Sequence, residues 1–152
     1  MSYTIETLPA MKIVGMANKT TNDHEQSAHD LPKLWSNYFT QEIETTIPHK
    51  KEPLQRICLY TDYEPQGYTV IIGACVTALE DVPVTLEERE LPAGKYAVFT
   101  VNGPLETAVA KAWHHIRAIS DLPRAFTNDF ELYEYNDNGD NLRSAKIFVS
   151  LI

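Results

Sequence analysis

A glutamate set among aromatic residues on a predicted strand is the stretch with the clearest chemical meaning. Asp129-Phe130-Glu131-Leu132-Tyr133-Glu134-Tyr135 is rich in β-prone residues, and side chains alternate across a strand. Phe130 and Leu132 then share one face, suited to packing under a helix, while Glu131, Tyr133 and Tyr135 share the other. No basic residue stands beside Glu131 in the sequence. Burying an unpaired carboxylate is expensive. The face is therefore either solvated or lines a pocket whose guest supplies a cation or a hydrogen-bond donor, and strand chemistry alone leaves both readings open. Glu134, on the Phe/Leu face, is expected at an edge or in a pair.

The other reactive side chains point to no metal or cofactor. Cys58 and Cys75 lie in apolar strand-like runs at a spacing that matches no zinc pattern, so reduced, buried thiols are expected. The five histidines are scattered; His114 and His115 are adjacent, and a metal site using His24, His29 or His49 is disfavoured. There is no Gly-X-Ser-X-Gly elbow, no Cys–His pairing in evident register and no phosphate loop.

Charge narrows the partners. Thirteen Lys and Arg against 21 Asp and Glu leave a formal charge of −8 with no basic cluster, which argues against direct nucleic-acid binding. An acidic surface favours cationic guests or serves solubility. The composition, 43% hydrophobic and 22% charged, is that of a soluble globular protein. The longest apolar run, Val70 to Val76, is far too short to span a bilayer. The N-terminus shows no basic region followed by an apolar core, so a cytoplasmic location is expected.

A single α+β domain over residues 1–152 is expected to position these groups, with halves at about 1–79 and 84–152. Leu8-Pro9-Ala10-Met11-Lys12 returns as Leu91-Pro92-Ala93-Gly94-Lys95, an offset of 83 residues, each time before a β-prone run. The first copy reads as a strand, a tight Pro turn and a second strand from Tyr3 to Ala17. A helix follows from about Ala28 to Glu44, with Leu31, Leu34, Trp35, Tyr38 and Phe39 as its apolar stripe and Pro32 in its first turn. The second copy leads through Asn102-Gly103-Pro104 into a helix from Leu105 to Ser120, whose stripe includes Ala112, Trp113 and Ile116. Two strands follow each helix: Arg56–Asp62 and Tyr68–Thr77, then Asp129–Tyr135 and Ala145–Ile152. The last two are joined by an Asn138-Gly139 hairpin signal. Leu59-Tyr60 and Leu132-Tyr133 occupy corresponding places. The predicted architecture is a duplicated strand–helix–strand–strand unit, giving two antiparallel sheets, each backed by a helix, with a ligand cleft between pseudo-symmetric halves.

In this order the segments resemble the GyrI-like family, the effector-binding domain of AraC-type and multidrug-sensing transcription regulators. The anchors are the two Leu-Pro-Ala-X-Lys segments, Tyr68 to Val76 with Ile72-Gly73, Ala112-Trp113, and Asp129-Phe130-Glu131-Leu132-Tyr133. The resemblance covers essentially the whole chain. It implies that a small organic molecule, often a lipophilic cation, binds in an aromatic pocket with Glu131 at its centre. It also implies Trp113 as a pocket wall, with Tyr133, Trp35 and Tyr68 as further candidates. In the regulators this domain is fused to a DNA-binding segment; here Met1 precedes the first strand by about two residues, so a stand-alone copy is expected.

Three functions follow from that site. A binding protein would use Glu131 as counter-ion and the aromatic faces for cation–π contacts. A hydrolase of small reactive electrophiles would use Glu131 as base and Tyr133 as donor. A protein-interaction module of the gyrase-inhibiting kind would rely on acidic residues such as Asp62, Glu64, Asp81, Glu87, Glu88 and Glu90, which are dispersed, for a protein partner. Oligomeric state is not readable.

Overall fold

The computed structural model describes residues 2–136 and 142–152. Its first half contains β1 (Thr4–Leu8), β2 (Met11–Thr20), α1 (Gln26–Thr40), β3 (Gln55–Glu64) and β4 (Gly67–Val76). The second contains β5 (Glu87–Leu91), β6 (Gly94–Val101), α2 (Leu105–Ala118), β7 (Asp129–Tyr135) and β8 (Leu142–Ser150). The class is α+β; the first half has the two strands read before its helix between Tyr3 and Ala17, and the second half also has two, one more than the predicted strand–helix–strand–strand unit allots. The Asn138-Gly139 hairpin signal lies outside the described residues.

The eight strands form one antiparallel sheet, ordered β1-β6-β8-β7-β3-β4-β2-β5, rather than the two sheets expected. The junction is β3 with β7, paired from Gln55↔Glu134 to Tyr60↔Asp129. Two four-strand groups would each expose a ladder edge there, and unpaired backbone groups are costly to bury. Joining β3 to β7 satisfies both edges. The order reads the same when β1–β4 are exchanged with β5–β8.

The Pro9-Ala10 link is not a hairpin turn. β1 pairs with β6, whereas β2 lies between β4 and β5. The register repeats at the offset of 83: Thr4 pairs with Val98, and Glu87 pairs with Gly15. Leu8 faces Gly94 and Leu91 faces Met11, so each Leu-Pro-Ala link carries the chain from one end of the sheet to the other. Such a link spans at most about 11 Å. The sheet must therefore curl until its ends nearly meet, and the result is a half-barrel.

Curling determines what covers each face. Ile13, Ile57, Leu59, Ile71, Phe130 and Phe148 form a core made of strand residues alone, with Phe130 stacked on Phe148 at 4.6 Å. The opposite face carries Val14, Cys58, Ile72, Phe99 and Ile147, and it packs under Leu34 and Tyr38 of α1 and Trp113 and Ile116 of α2. Phe130 is thus covered by the sheet itself, and the helices lie over the Glu131 face, the reverse of the expectation. Both faces are apolar enough to need a cover, and local alternation does not say which cover each receives.

Helix α1 starts at Gln26, which puts Pro32 inside the helix rather than in its first turn. The two added residues are tied down by Asp30, which accepts from Thr20 Oγ1 at 2.8 Å and Gln26 Nε2 at 2.9 Å. It ends at Thr40, before the expected Glu44, where Glu42 adopts a left-handed φ of 51°.

At one point the sheet has no room for a side chain. Gly15 and Gly73 face each other across β2 and β4. A Cβ on Gly73 would overlap the Val14 carbonyl oxygen and lie 2.6 Å from Gly15 Cα. Backbone does not yield as a flexible side chain does. Gly73→Ala is expected to destabilise the protein by about 3 kcal/mol, measured by urea denaturation; a midpoint near wild type would contradict this packing.

Candidate ligand-binding site

The β3–β7 junction presents three cross-strand pairs to the helices: Arg56↔Tyr133, Cys58↔Glu131 and Tyr60↔Asp129. Glu131 is at the centre of this array and is 2% exposed. Tyr60 Oη donates to Glu131 Oε2 at 2.5 Å, and Trp113 Nε1 donates to the same oxygen at 2.6 Å. The Tyr133 hydroxyl donates to Oε1. All three donors are neutral. Burial pushes the Glu131 carboxyl up from its ordinary range, against the downward pull of the Tyr133, Tyr60 and Trp113 hydrogen bonds.

Asp129, on the same strand face, is a useful contrast. It is fully buried, and its Oδ1 accepts from Ser150 N at 2.7 Å and Ser150 Oγ at 3.0 Å. Its Oδ2 accepts from Tyr63 Oη at 2.7 Å and Arg124 Nη2 at 2.9 Å. At the other end of the array, Arg56 forms a two-pronged pair with Glu44, Nε to Oε1 at 2.6 Å and Nη2 to Oε2 at 2.9 Å. Each arginine at the ends is thus matched to its own carboxylate. The central carboxylate has no cation among the described residues.

The sequence-predicted residues divide by distance from Glu131. Trp113 and Tyr133 bond to it directly. Trp35 reaches it only through Tyr133, which it meets edge-on at 5.6 Å, and it also stacks on Phe39 at 5.9 Å. Tyr68 stands behind Tyr60 at 5.9 Å, with its hydroxyl donating to Asn22 Oδ1 at 2.7 Å. Tyr135 lies against the Arg56 guanidinium, 4.0 Å from its ring centroid, rather than at the carboxylate.

Four site residues were not anticipated: Tyr60, Tyr63, Arg124 and Phe126. Tyr60 had a signal, since Leu59-Tyr60 stands where the other half has Leu132-Tyr133. Tyr63 reaches Asp129 because the register shifts between Thr61 and Glu64, with Asp62 at φ 52°, and regular alternation hides such a bulge. Arg124 and Phe126 come from the loop before β7, which has no periodicity to read.

Cys58 is buried beside Glu131 and its thiol is pushed up by burial; Cys75 is partly buried and pushed up to about 11. Neither is poised as a thiolate nucleophile. Among the described residues no group of His, Cys, Asp or Glu could hold a metal ion, and no helix is long and apolar enough to cross a membrane.

Comparison with known proteins gives a consistent picture. The family model described as Cass2, integron-associated effector binding protein, matches residues 4–149. YobU of Bacillus subtilis strain 168, provisionally named a transcriptional regulator, is 29% identical over 150 residues, covering 95% of this chain and 94% of YobU. The structure of SAV2435 bound to tetraphenylphosphonium superposes with a TM-score of 0.80 at 18% identity, covering 100% of this chain and 94% of that one. The integron cassette protein VCH_CASS2 from the mobile metagenome of Vibrio cholerae gives a TM-score of 0.74 at 20% identity, covering 100% and 97%. At these identities the structural likeness establishes the fold.

Proposed function

The chain belongs to the integron-associated effector-binding proteins, and we propose that it binds lipophilic organic cations in an aromatic pocket with Glu131 as counter-ion. One observation carries this reading: Glu131 is buried with three neutral donors and, among the described residues, no cation, whereas the neighbouring Asp129 is paired with Arg124. A cationic guest supplies the missing charge. Its entry exchanges one of the donors for the guest, and the ring that gives way becomes a pocket wall. Trp113, Tyr60 and Tyr133 would offer the nearest aromatic faces, with Trp35 and Tyr68 behind them. We read the chain as two fused strand–strand–helix–strand–strand units, with the ligand between α1 and α2 where β3 meets β7. The same fold in SAV2435, solved with tetraphenylphosphonium, supports the choice of ligand class.

Geometry favours binding over hydrolysis. The Tyr133 hydroxyl, the donor that a hydrolase would aim at a developing oxyanion, is committed to Glu131 itself. As for an interaction surface, part of the acidic charge is already answered, since Arg89 pairs with Asp62 at 2.7 Å and Glu87 at 3.7 Å.

Calorimetric titration of the wild-type protein with tetraphenylphosphonium tests the reading, and absence of binding at neutral pH would refute it. The pH dependence is a sharper check. A raised folded-state pKa means that the native protein holds the Glu131 proton more tightly than the unfolded chain, whose glutamates titrate at about 4.3. That contribution to stability is complete below the unfolded value and is lost as pH rises through the folded one. Cation binding favours the ionised form, so it should release a proton, and affinity should rise with pH across the same window. Titrations in buffers of different ionisation enthalpy would reveal the proton; affinity that stays flat from mildly acidic to neutral pH would count against a Glu131 counter-ion.

A further inference from the structure

Arg124 has an unanswered donor. Its Nε is buried and, alone among the described buried side-chain nitrogens and oxygens, has no hydrogen-bond partner. Its side chain is 14% exposed, and its Nη2 is engaged with Asp129. A buried N–H without an acceptor carries the cost of an unmade hydrogen bond and calls for an explanation.

The surroundings suggest one. The guanidinium lies 4.3 Å from the Phe126 ring centroid and 5.8 Å from that of Trp113, whose indole nitrogen is bonded to Glu131. One indole therefore stands between the central carboxylate and the arginine. Tyr63 continues the aromatic rim, 6.0 Å from Phe126 and 5.7 Å from Tyr68. Phe126 itself has φ 52° and is 54% exposed. A left-handed backbone at a bulky residue is strained, and such strain gathers at ligand clamps. Here it holds a ring over the guanidinium.

We propose that Arg124 is a second polar anchor of the Glu131 pocket, with its Nε–H donating to an acceptor oxygen of the guest. The preferred ligands are then aromatic cations that also carry a neutral acceptor such as an ester or carbonyl. A neutral oxygen suffices, because Asp129 already balances the guanidinium charge. This inference rests on the cation-binding reading and adds the second recognition element.

Two dyes separate the two ideas. Tetramethylrhodamine methyl ester and tetramethylrosamine share one cationic xanthene and differ in the ester. Wild-type protein should bind the ester dye about tenfold more tightly by fluorescence titration, the scale of one hydrogen bond to a charged group. Arg124→Lys keeps the charge facing Asp129 but removes Nε, and should erase most of that preference, bringing the ester dye to within about twofold of the rosamine on the same variant. Equal affinity of the two dyes for wild type overturns the inference and leaves the cation pocket standing, and that comparison does not depend on how the variant folds. A variant that keeps the full preference, or weakens both dyes alike, also overturns it. If neither dye nor tetraphenylphosphonium binds the wild type, the pocket reading fails and takes this inference with it.

Discussion

Glu131→Gln is expected to remove most of the stabilisation by tetraphenylphosphonium while leaving the empty protein about as stable as wild type, or more so. Glutamine occupies the same volume. Its carbonyl can accept from Tyr60 and Trp113, while its amide donates to the Tyr133 hydroxyl, which turns to accept. In the empty protein the substitution removes a buried carboxylate whose ionised form burial disfavours, so stability should change by less than about 1 kcal/mol. A cation, however, loses its counter-charge, a loss of about 2 kcal/mol or more, and about 30-fold in affinity. Thermal shift with and without ligand measures both quantities on the same samples. A variant that still gains the full ligand-induced shift would remove Glu131 from the role proposed for it. One that unfolds in the absence of ligand would show the carboxylate to be structural.

Asp129→Ala should behave in the opposite way. This carboxylate gathers four hydrogen bonds, from Ser150 N, Ser150 Oγ, Tyr63 Oη and Arg124 Nη2. Truncation leaves a buried guanidinium without its charge partner and a strand N–H without an acceptor. Breaking a buried pair in this way costs about 3–5 kcal/mol, a large share of the roughly 5–15 kcal/mol that holds a domain of this kind together. The melting temperature should fall by about 10 °C or more, with or without ligand present. A shift of only a degree or two would mean that water replaces the lost carboxylate. The paired variants thus assign different jobs to carboxylates that stand on one strand face, one next-but-one to the other.

Much of the local structure was legible from residue order. The β7 boundaries, Asp129 to Tyr135, follow from β-prone residues in alternation, and the same alternation puts Glu131 and Tyr133 on one face. Helical spacing aligned Ala112, Trp113 and Ile116 on α2. The repeated Leu-Pro-Ala segments pointed to a correspondence between halves that the strand register follows at Thr4↔Val98 and Glu87↔Gly15. These features depend on neighbours within a turn or two, or on identity between distant segments, and both are written in the chain.

The environment of those residues was not. Whether Glu131 faced helices or solvent depended on the pairing of β3 with β7 and on the curl imposed by two short links, which together cover Phe130 with sheet and Glu131 with helices. Tyr60 became a donor to Glu131 across 71 residues, and Tyr63 met Asp129 across 66 through a bulge. Arg124 came from a loop without pattern. Alternation and periodicity determine which side chains point the same way, because that follows from local backbone geometry. Which of them share a low-dielectric interior, and with what partners, follows from long-range strand pairing, which gives Asp129 a guanidinium and Glu131 neutral donors although both are buried acids on the same face.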